Sequence, residues 1–450
     1  MWINIEIVSQ NKNVIYLPKS MIRRKSTYVD VSFGQITINA LVKPLNNIEE
    51  VTGDDFENPI KIRLSDKLSS RLYIQEELTY KIKYKAKHIE IGPVVGILLG
   101  SHNNMYNSTH MKKYSDRFGV YNQVGGLICA FSPNTIDWKK RVAYGLYYNN
   151  LKSQWKFATF PIPSVIYRRD FHLESKNINK LIQITRDRMF NSSRFTKFYL
   201  YEHAKENKKL VTYLPETELC ENYKKTKKFI EKNTDVILKP TNLSRGRGIC
   251  IIKKRGDGYK VLDYRNREVK EIDLLNNEAL KEFFDKNKDL FREYLIQKYI
   301  LLAKIDGSPF DIRVVMQKTK PYEWKCSGIE CRVAAPKTLV TNISKGGYAI
   351  KIDDALKRAF TFDENENKEI KKNLYNLCLE ISNSLDRTSQ HYAEFGMDIA
   401  LDEQGGLWII EVNVFPSFKG FKKMDYNTYL DIRHNPIFYA SRISGFSNNT

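Results

Sequence analysis

Cysteine and histidine are both scarce in this 450-residue sequence, with six of the first and seven of the second. The cysteines stand at 129, 220, 250, 326, 331 and 378; four residues separate the nearest pair, Cys326 and Cys331, and no CxxC occurs. That is neither a disulfide framework nor a zinc-ligand set, so reduced thiols in a cytosol are the expected state. The histidines are scattered and form no HExxH, which leaves no histidine metal site or nucleophilic dyad to argue from. Long apolar runs are missing as well. Val94–Leu99 and Ile249–Ile252 fall far short of the ~20 residues that a membrane span needs. Met1–Gln10 lacks the basic-then-apolar layout of a signal peptide and reads as a strand. A cytoplasmic chain without a membrane span is therefore expected.

Positive charge, by contrast, is plentiful: 73 Lys+Arg against 52 Asp+Glu leave a formal net charge of +21. Such a balance attracts nucleic acid, nucleotides, anionic surfaces or acidic polymers. The basic residues come as scattered short clusters, such as Arg23-Arg24-Lys25, Lys224-Lys225, Lys227-Lys228 and Lys422-Lys423. No zinc finger, basic region with heptads or aromatic RNP-like run accompanies them, so nucleic acid is not the expected partner. A composition of 42% hydrophobic and 28% charged residues fits a globular protein. The length predicts two to four domains at roughly 100–200 residues each.

Residues 1–90 read as a β-rich domain, a small sheet or barrel. Gln35–Val42, Ile60–Leu64 and Leu78–Tyr84 alternate with a period of two, separated by polar turns such as Thr52-Gly53-Asp54-Asp55. The run Ile89–Gly100 is apolar on both faces, as a buried parallel strand would be, and opens a mixed region, 91–175, with a break at Phe160-Pro161-Ile162-Pro163. From 176 to 450 the pattern is α/β. Helices are expected over Asn177–Met189, Ala279–Arg292 and Asp363–Leu385. Strands are expected over Val236–Lys239, Gly248–Lys253, Ile312–Gln317, Ser327–Val333, Phe395–Leu401 and Leu407–Val414.

Three segments concentrate the chemistry. In Phe395–Pro416 two apolar strands flank the turn Asp402-Glu403-Gln404-Gly405-Gly406. An uninterrupted hairpin centred on Gln404-Gly405 sets Asp398 opposite Glu411, with Glu411 and Asn413 projecting from one face. Two carboxylates and an amide oxygen would then converge among apolar neighbours. A hard cation removes both their repulsion and their desolvation cost, and a donor set of this kind suits Mg²⁺. A solvent-facing polar edge is the competing reading.

In the second segment Lys239 ends the apolar strand Val236–Lys239 and is followed by Ser244-Arg245-Gly246-Arg247-Gly248, whose spaced glycines let backbone N–H groups approach an anion. The competing reading is a plain turn. GxxxxGK[ST] is absent, so this is no P-loop. The third segment runs from Tyr294 to Val315. Gln297-Lys298-Tyr299-Ile300 offers backbone groups to an adenine edge, and Asp311 and Arg313 share one strand face. Arg332 and the turn Asn342–Gly347 add donors. A structural ion pair between strands is the alternative for Asp311 and Arg313.

The order of these parts (strand lysine, Gly-rich flap, hinge with D-x-R, basic turn, Asp…Glu-x-Asn) resembles the ATP-grasp superfamily over about residues 176–440. More narrowly it resembles the YheC/YheD family of endospore-associated ATP-grasp proteins. The narrower likeness rests on Ile91–Ile97, Arg194–Lys197, Leu214-Pro215-Glu216-Thr217, Trp408–Pro416 and the β-rich leader. The resemblance implies an α/β ATP-grasp domain at 176–450, preceded by an α/β pre-ATP-grasp domain at 91–175 and the β-rich domain at 1–90. It implies that Lys197 and Lys239 hold the α- and β-phosphates, Ser244, Arg245, Gly246, Arg247 and Gly248 cover the triphosphate, Gln297–Ile300 form the hinge and Asp311 meets the ribose. Asp398, Glu411 and Asn413 would hold one or two Mg²⁺ ions, with Mn²⁺ as a substitute. Arg313, Arg332, Asn342 and Lys345 would face the γ-phosphate and acceptor. Two features depart from the usual pattern: Gln297 stands where many relatives have Glu, and the flap has more arginine. The implied activity joins a carboxylate to an amine at the expense of ATP, in a spore-linked setting; the +21 charge adds an acidic peptide or protein to the conceivable substrates. The alternatives are a spore-associated structural protein that binds ATP, or a phosphotransferase on the same fold.

Overall fold

The period-two stretches at the start of the chain close into a barrel. In the computed structural model, which describes residues 1–22, 28–45, 52–85, 87–170, 176–241, 248–266, 269–321, 323–336, 341 and 346–446, seven strands lie in the order Trp2–Val8, Ile60–Ser65, Val14–Pro18, Ile36–Leu45, Tyr28–Phe33, His88–Gly92 and Thr79–Lys85. The last pairs back onto the first, with Trp2 against Lys81. Alternate residues such as Ile3, Ile5, Ile62 and Leu64 point inward and are buried.

The run expected to form one buried strand from Ile89 to Gly100 is divided at Pro93, which has no N–H to give to a ladder. Its first half, His88–Gly92, closes the barrel; its second, Val94–Leu98, lies parallel between Leu127–Asp137 and Val165–Arg168 in a second, six-stranded sheet. All five residues of Val94–Leu98 are buried. The barrel interior and this sheet share one apolar cluster that runs from Ile3 and Phe33 to Ile97, Phe131 and Phe160.

Two further six-stranded sheets follow. One has the order Thr217–Leu219, Tyr294–Lys298, Asp235–Pro240, Cys250–Arg255, Gly258–Asp263, Lys270–Leu274. It packs Val236, Leu238 and Ile252 against Phe229 and Ile230 of helix Tyr223–Asn233 and Phe284 of helix Asn277–Lys286. The helix expected over 279–292 is two helices, Asn277–Lys286 and Leu290–Glu293. The expected helix from Asn177 stops at Ile184, and Met189–Phe190 instead joins the edge of the second sheet.

The other sheet has the order Tyr348–Ile350, Glu323–Val333, Ser308–Lys320, Glu394–Leu401, Leu407–Asn413, with Lys304–Ile305 beside the long central strand. Its two faces differ in chemistry. Phe310, Ile312, Val314, Phe395, Met397 and Ile399 line one face, packed on Leu374, Leu377 and Ile381 of helix Glu364–Asp386. That helix begins with a capping box between Asp363 and Glu366, which satisfies its first amides. The opposite face bears the charged residues. Among the described residues, no helix is long and apolar enough to cross a membrane.

Candidate active site

Cross-strand register builds a row of ionisable groups on the polar face of this last sheet. Glu330 lies opposite Arg313, Arg313 opposite Asp398, and Asp398 opposite Glu411. In the adjoining rows Arg332 faces Asp311, and Asn413 faces Gly396. Because side chains alternate along strands, all of these project from one surface.

The pairing of Asp398 with Glu411 is reached by a different route from the uninterrupted hairpin that the sequence suggests. The turn centres on Gln404, since Leu401 pairs with Leu407 and Ile399 with Ile409; a bulge at Ile410 then adds the residue that brings Glu411 opposite Asp398. The bulge also turns the strand over. Leu407 and Ile409 face the apolar core, and beyond the bulge Val412 does, so Glu411 and Asn413 move to the polar face. Asp402 fixes the turn by accepting from the N–H groups of Gln404 and Gly406 and from Trp408 Nε1, at 3.0, 2.7 and 2.7 Å. At Gly396 an added Cβ would lie 2.4 Å from Cβ of Pro416, so only glycine lets the segment after Asn413 fold back over the sheet.

Both aspartates on this face are held by arginine. Arg313 donates Nε and Nη2 to the two oxygens of Asp398 at 2.5 and 3.1 Å, and Nη1 to Ser417 O at 3.3 Å. Arg332 grips Asp311 through Nε and Nη2 at 2.7 and 2.5 Å and reaches Asp398 at 3.1 Å. Thr341 Oγ1 donates to Asp311 at 2.7 Å. Burial opposes ionisation of Asp398, but the two guanidinium groups hold its carboxyl below the usual range. The ion pairing that sequence allows for Asp311 and Arg313 is thus present, with partners one strand away in each case.

The ammonium groups come from elsewhere. Lys239 ends the strand Asp235–Pro240 in the neighbouring sheet and donates to Gln297 Oε1 at 2.7 Å. Gln297 Nε2 donates to Thr217 Oγ1 at 2.7 Å, which donates to Pro215 O at 2.8 Å, so the lysine's position is set through three residues. The pKa of Lys239 is lowered to about 8, by burial first and then by nearby Lys197, with Glu411 and Asp398 acting in the opposite sense. Lys197 opens the helix Lys197–Lys205, capped by Thr196, and its Nζ lies 3.8 Å from Glu411 Oε1. Two lysines and two carboxylates from four separate elements therefore share one electrostatic neighbourhood between the two sheets.

At the hinge, the N–H of Lys298 donates to Glu216 O and that of Tyr299 to Asp235 O, both at 2.9 Å. Among the described residues no backbone hydrogen bond from the N–H of Ile300 occurs. The Gln297 side chain serves Lys239 instead. Of the flap, Gly248 is described: it is buried, with φ at 74° in the left-handed region that favours glycine. Ser244, Arg245, Gly246 and Arg247, and in the basic turn Asn342 and Lys345, lie outside the described residues. Sequence reasoning passes over Glu330 and Thr341, and marks Thr217 only as part of the segment Leu214–Thr217. Glu330 stands two residues before Arg332 in a strand that was recognised, so strand alternation alone places it on the same face.

No group of three or more His, Cys, Asp or Glu suited to a metal occurs among the described residues. The register sets Asp398, Glu411 and Asn413, two carboxylates and one amide, on one face of the hairpin. That set fits a hard cation which keeps other oxygens in its shell. In the geometry seen, Asp398 is shared with Arg313 and Arg332, so a cation would compete with guanidinium groups for its oxygens.

A family model described as "YheC/D like ATP-grasp" matches residues 186–443, more than half of the chain. Endospore coat-associated protein YheD of Bacillus subtilis (strain 168) is 23% identical over 428 residues, covering 92% of this chain and 89% of its own length. Endospore coat-associated protein YheC of the same organism is 24% identical over 303 residues, covering 65% of this chain and 80% of its own length. Among solved structures, the ATP-grasp ligase PsnB complexed with a phosphomimetic variant of its minimal precursor, Mg and ADP has a TM-score of 0.43. It is 10% identical and covers 78% of this chain and 99% of its own.

Proposed function

The chain belongs to the YheC/D-like ATP-grasp family and has the ATP-grasp fold, and on that premise we propose that it is an ATP-dependent carboxylate–amine ligase. The observation that supports this most is the meeting of Lys239 and Lys197 with Asp398 and Glu411 at the junction of two sheets. Cations for a polyphosphate and oxygens for its counter-ion stand side by side, and no Ser/His or Cys/His pair is needed.

In this reading Lys239 and Lys197 take the α- and β-phosphates, Ile300 and the neighbouring hinge take the adenine, and Asp311 takes the ribose. Asp398, Glu411 and Asn413 would hold Mg²⁺, or Mn²⁺ with its similar preference for oxygen, which neutralises charge on the β- and γ-phosphate oxygens. Arg313 and Arg332 orient the γ-phosphoryl group and the acceptor carboxylate. A carboxylate oxygen of the substrate attacks the γ-phosphorus, the β–γ bridge breaks and ADP leaves. An amine then attacks the resulting acylphosphate; the amide forms, inorganic phosphate departs and the amine proton passes to solvent. Rate enhancement of this kind comes from positioning and charge stabilisation. Ser244–Gly248 would cover the triphosphate, and Asn342 and Lys345 would face the γ-phosphate and the acceptor.

We divide the chain at 90 and 175, into a β-rich leader, a pre-ATP-grasp part and the ATP-grasp part. The names of the two Bacillus relatives support a place in spore-coat formation. The net charge of +21 favours an acidic peptide or protein as the carboxylate donor. The test is incubation of the protein with ATP, Mg²⁺, an amino-acid mixture and a Glu-rich peptide, followed by mass spectrometry. A product lighter by one water than its two components, formed with ADP, is expected. A phosphorylated product would establish a phosphotransferase instead, and ADP without product would favour a nucleotide-binding structural protein.

A further inference from the structure

Glu330 is the one member of the charged row that the proposed chemistry does not use. It is 1% exposed, and its Oε2 has no hydrogen-bond partner among the described residues. Arg313 stands directly opposite it, yet gives its guanidinium to Asp398 on the other side. A buried carboxylate left without partners is costly, and here a suitable partner is one strand away and engaged elsewhere.

Asp398 is oversubscribed. Both of its oxygens accept from Arg313, and Arg332 reaches one of them as well. A divalent cation seated on the same carboxylate would face two guanidinium groups across a few ångströms, so one must withdraw. Arg332 has a second carboxylate, Asp311, which it already holds through two hydrogen bonds. Among the described residues Arg313 has only the Ser417 carbonyl besides Asp398.

We propose that Glu330 is the second seat of Arg313, receiving its guanidinium when Asp398 turns to a bound cation. The inference rests on the Mg·nucleotide reading above and makes Glu330 a positioning residue. The row Glu330–Arg313–Asp398–Glu411 then works by partner exchange: with no cation the arginine neutralises Asp398, and with a cation it neutralises Glu330 while its remaining N–H groups stay available to the γ-phosphoryl group. With the cation bound, every buried charge of the row has a partner of opposite sign.

The surroundings of Glu330 agree. Burial raises its pKa to about 7; Arg313 and Arg332 counteract this in part, while Asp311 and Asp398 add to it. On its other flank the strand Tyr348–Ile350 leads into Lys351, which is exposed. The covering helices Lys419–Met424 and Tyr426–Ile443 present Phe421, Thr428 and Ile432 above Gly328, with Lys419, Lys422 and Lys423 exposed. Arrival of Arg313 would ionise the carboxyl and send its proton to solvent.

Calorimetric titration of ADP, with and without Mg²⁺, into the wild type and Glu330→Gln tests this. The variant is expected to bind Mg·ADP about tenfold more weakly and metal-free ADP as the wild type does. In paired buffers of different ionisation heat at pH 7, the wild type should release about half a proton more than the variant on binding Mg·ADP. Without ligand, Glu330→Gln should melt higher, because a neutral amide replaces an unpaired buried carboxyl. Glu330→Asp, which keeps the charge, should retain the proton release. Equal Mg·ADP affinity and equal proton release in wild type and Glu330→Gln would overturn the proposal. So would a lower melting temperature with both nucleotide forms weakened alike, the mark of a structural role, or a loss of turnover alone, the mark of a base. A wild type that binds no Mg·ADP would overturn the nucleotide reading itself, and this inference with it.

Discussion

Lys239 keeps its ammonium between Gln297 and the acidic hairpin, where burial and Lys197 lower its pKa to about 8. The folded state thus binds this proton less well than the unfolded chain does. Stability should rise as pH increases from about 8 towards the ordinary lysine value of about 10.5, and below 8 the unfavourable contribution is present in full. Its size is at most about 3 kcal/mol. Lys239→Met should therefore raise the melting temperature at pH 7 by a few degrees and remove that pH dependence, while weakening nucleotide binding about tenfold or more; differential scanning calorimetry and nucleotide titration check the two halves. Nucleotide affinity of the wild type should also decline above pH 8, once the ammonium begins to lose its proton. An affinity that stays level to pH 10 would place Lys239 away from the phosphates. Gln297 belongs to the same argument. It fixes Lys239 through its amide oxygen and is itself fixed by Thr217, which a glutamate at this position, acceptor only when ionised, would not reproduce.

Among elements, the hairpin from Glu394 to Asn413 shows what sequence can and cannot disclose. That Asp398 and Glu411 oppose each other follows from counting residues outward from the turn, and the structure agrees. The count succeeds because two departures cancel: the turn is centred half a residue earlier, and the bulge at Ile410 restores the difference. Nothing in the local pattern announces the bulge, because Trp408, Ile409 and Ile410 are all apolar and any of them could be the unpaired residue. A strand with clear alternation, such as Ile60–Leu64, is legible for the opposite reason: apolar and charged residues exchange at every step. Long-range pairing was not legible. Which strand sits beside Arg313, and hence the importance of Glu330, depends on contacts between segments far apart in sequence. At the level of this element, Asp402→Ala removes three hydrogen bonds that hold the turn and should cost about 2–3 kcal/mol, read as a lower melting temperature with nucleotide affinity little changed.

Across the whole molecule, the second sheet and the site sheet are joined by a buried polar network. Arg169 donates to Glu394 at 2.5 Å and to Pro416 O at 2.9 Å, Tyr167 donates to Glu394 at 2.9 Å, and Gln317 donates to the other Glu394 oxygen at 2.8 Å. Beside it, Val95, Val165 and Tyr167 pack on Phe190, Ala393, Tyr439 and Ala440. A fragment comprising 176–450 alone would leave Glu394 without Arg169 and Tyr167 and would expose that apolar surface. It should melt well below the full chain and bind a hydrophobic dye, and a fragment as stable as the whole would contradict the role given to this junction. The +21 charge acts at this scale too, favouring encounter with anionic partners without deciding which one is bound.

The central claim is that Mg·ATP is held between the lysines of one side and the hairpin oxygens of the other. Glu411→Ala, compared with the wild type for Mg·ATP binding and ATP turnover in a single set of titrations, tests it most directly. The substitution should weaken Mg·ATP binding at least tenfold and abolish turnover. Binding and turnover equal to those of the wild type would contradict it.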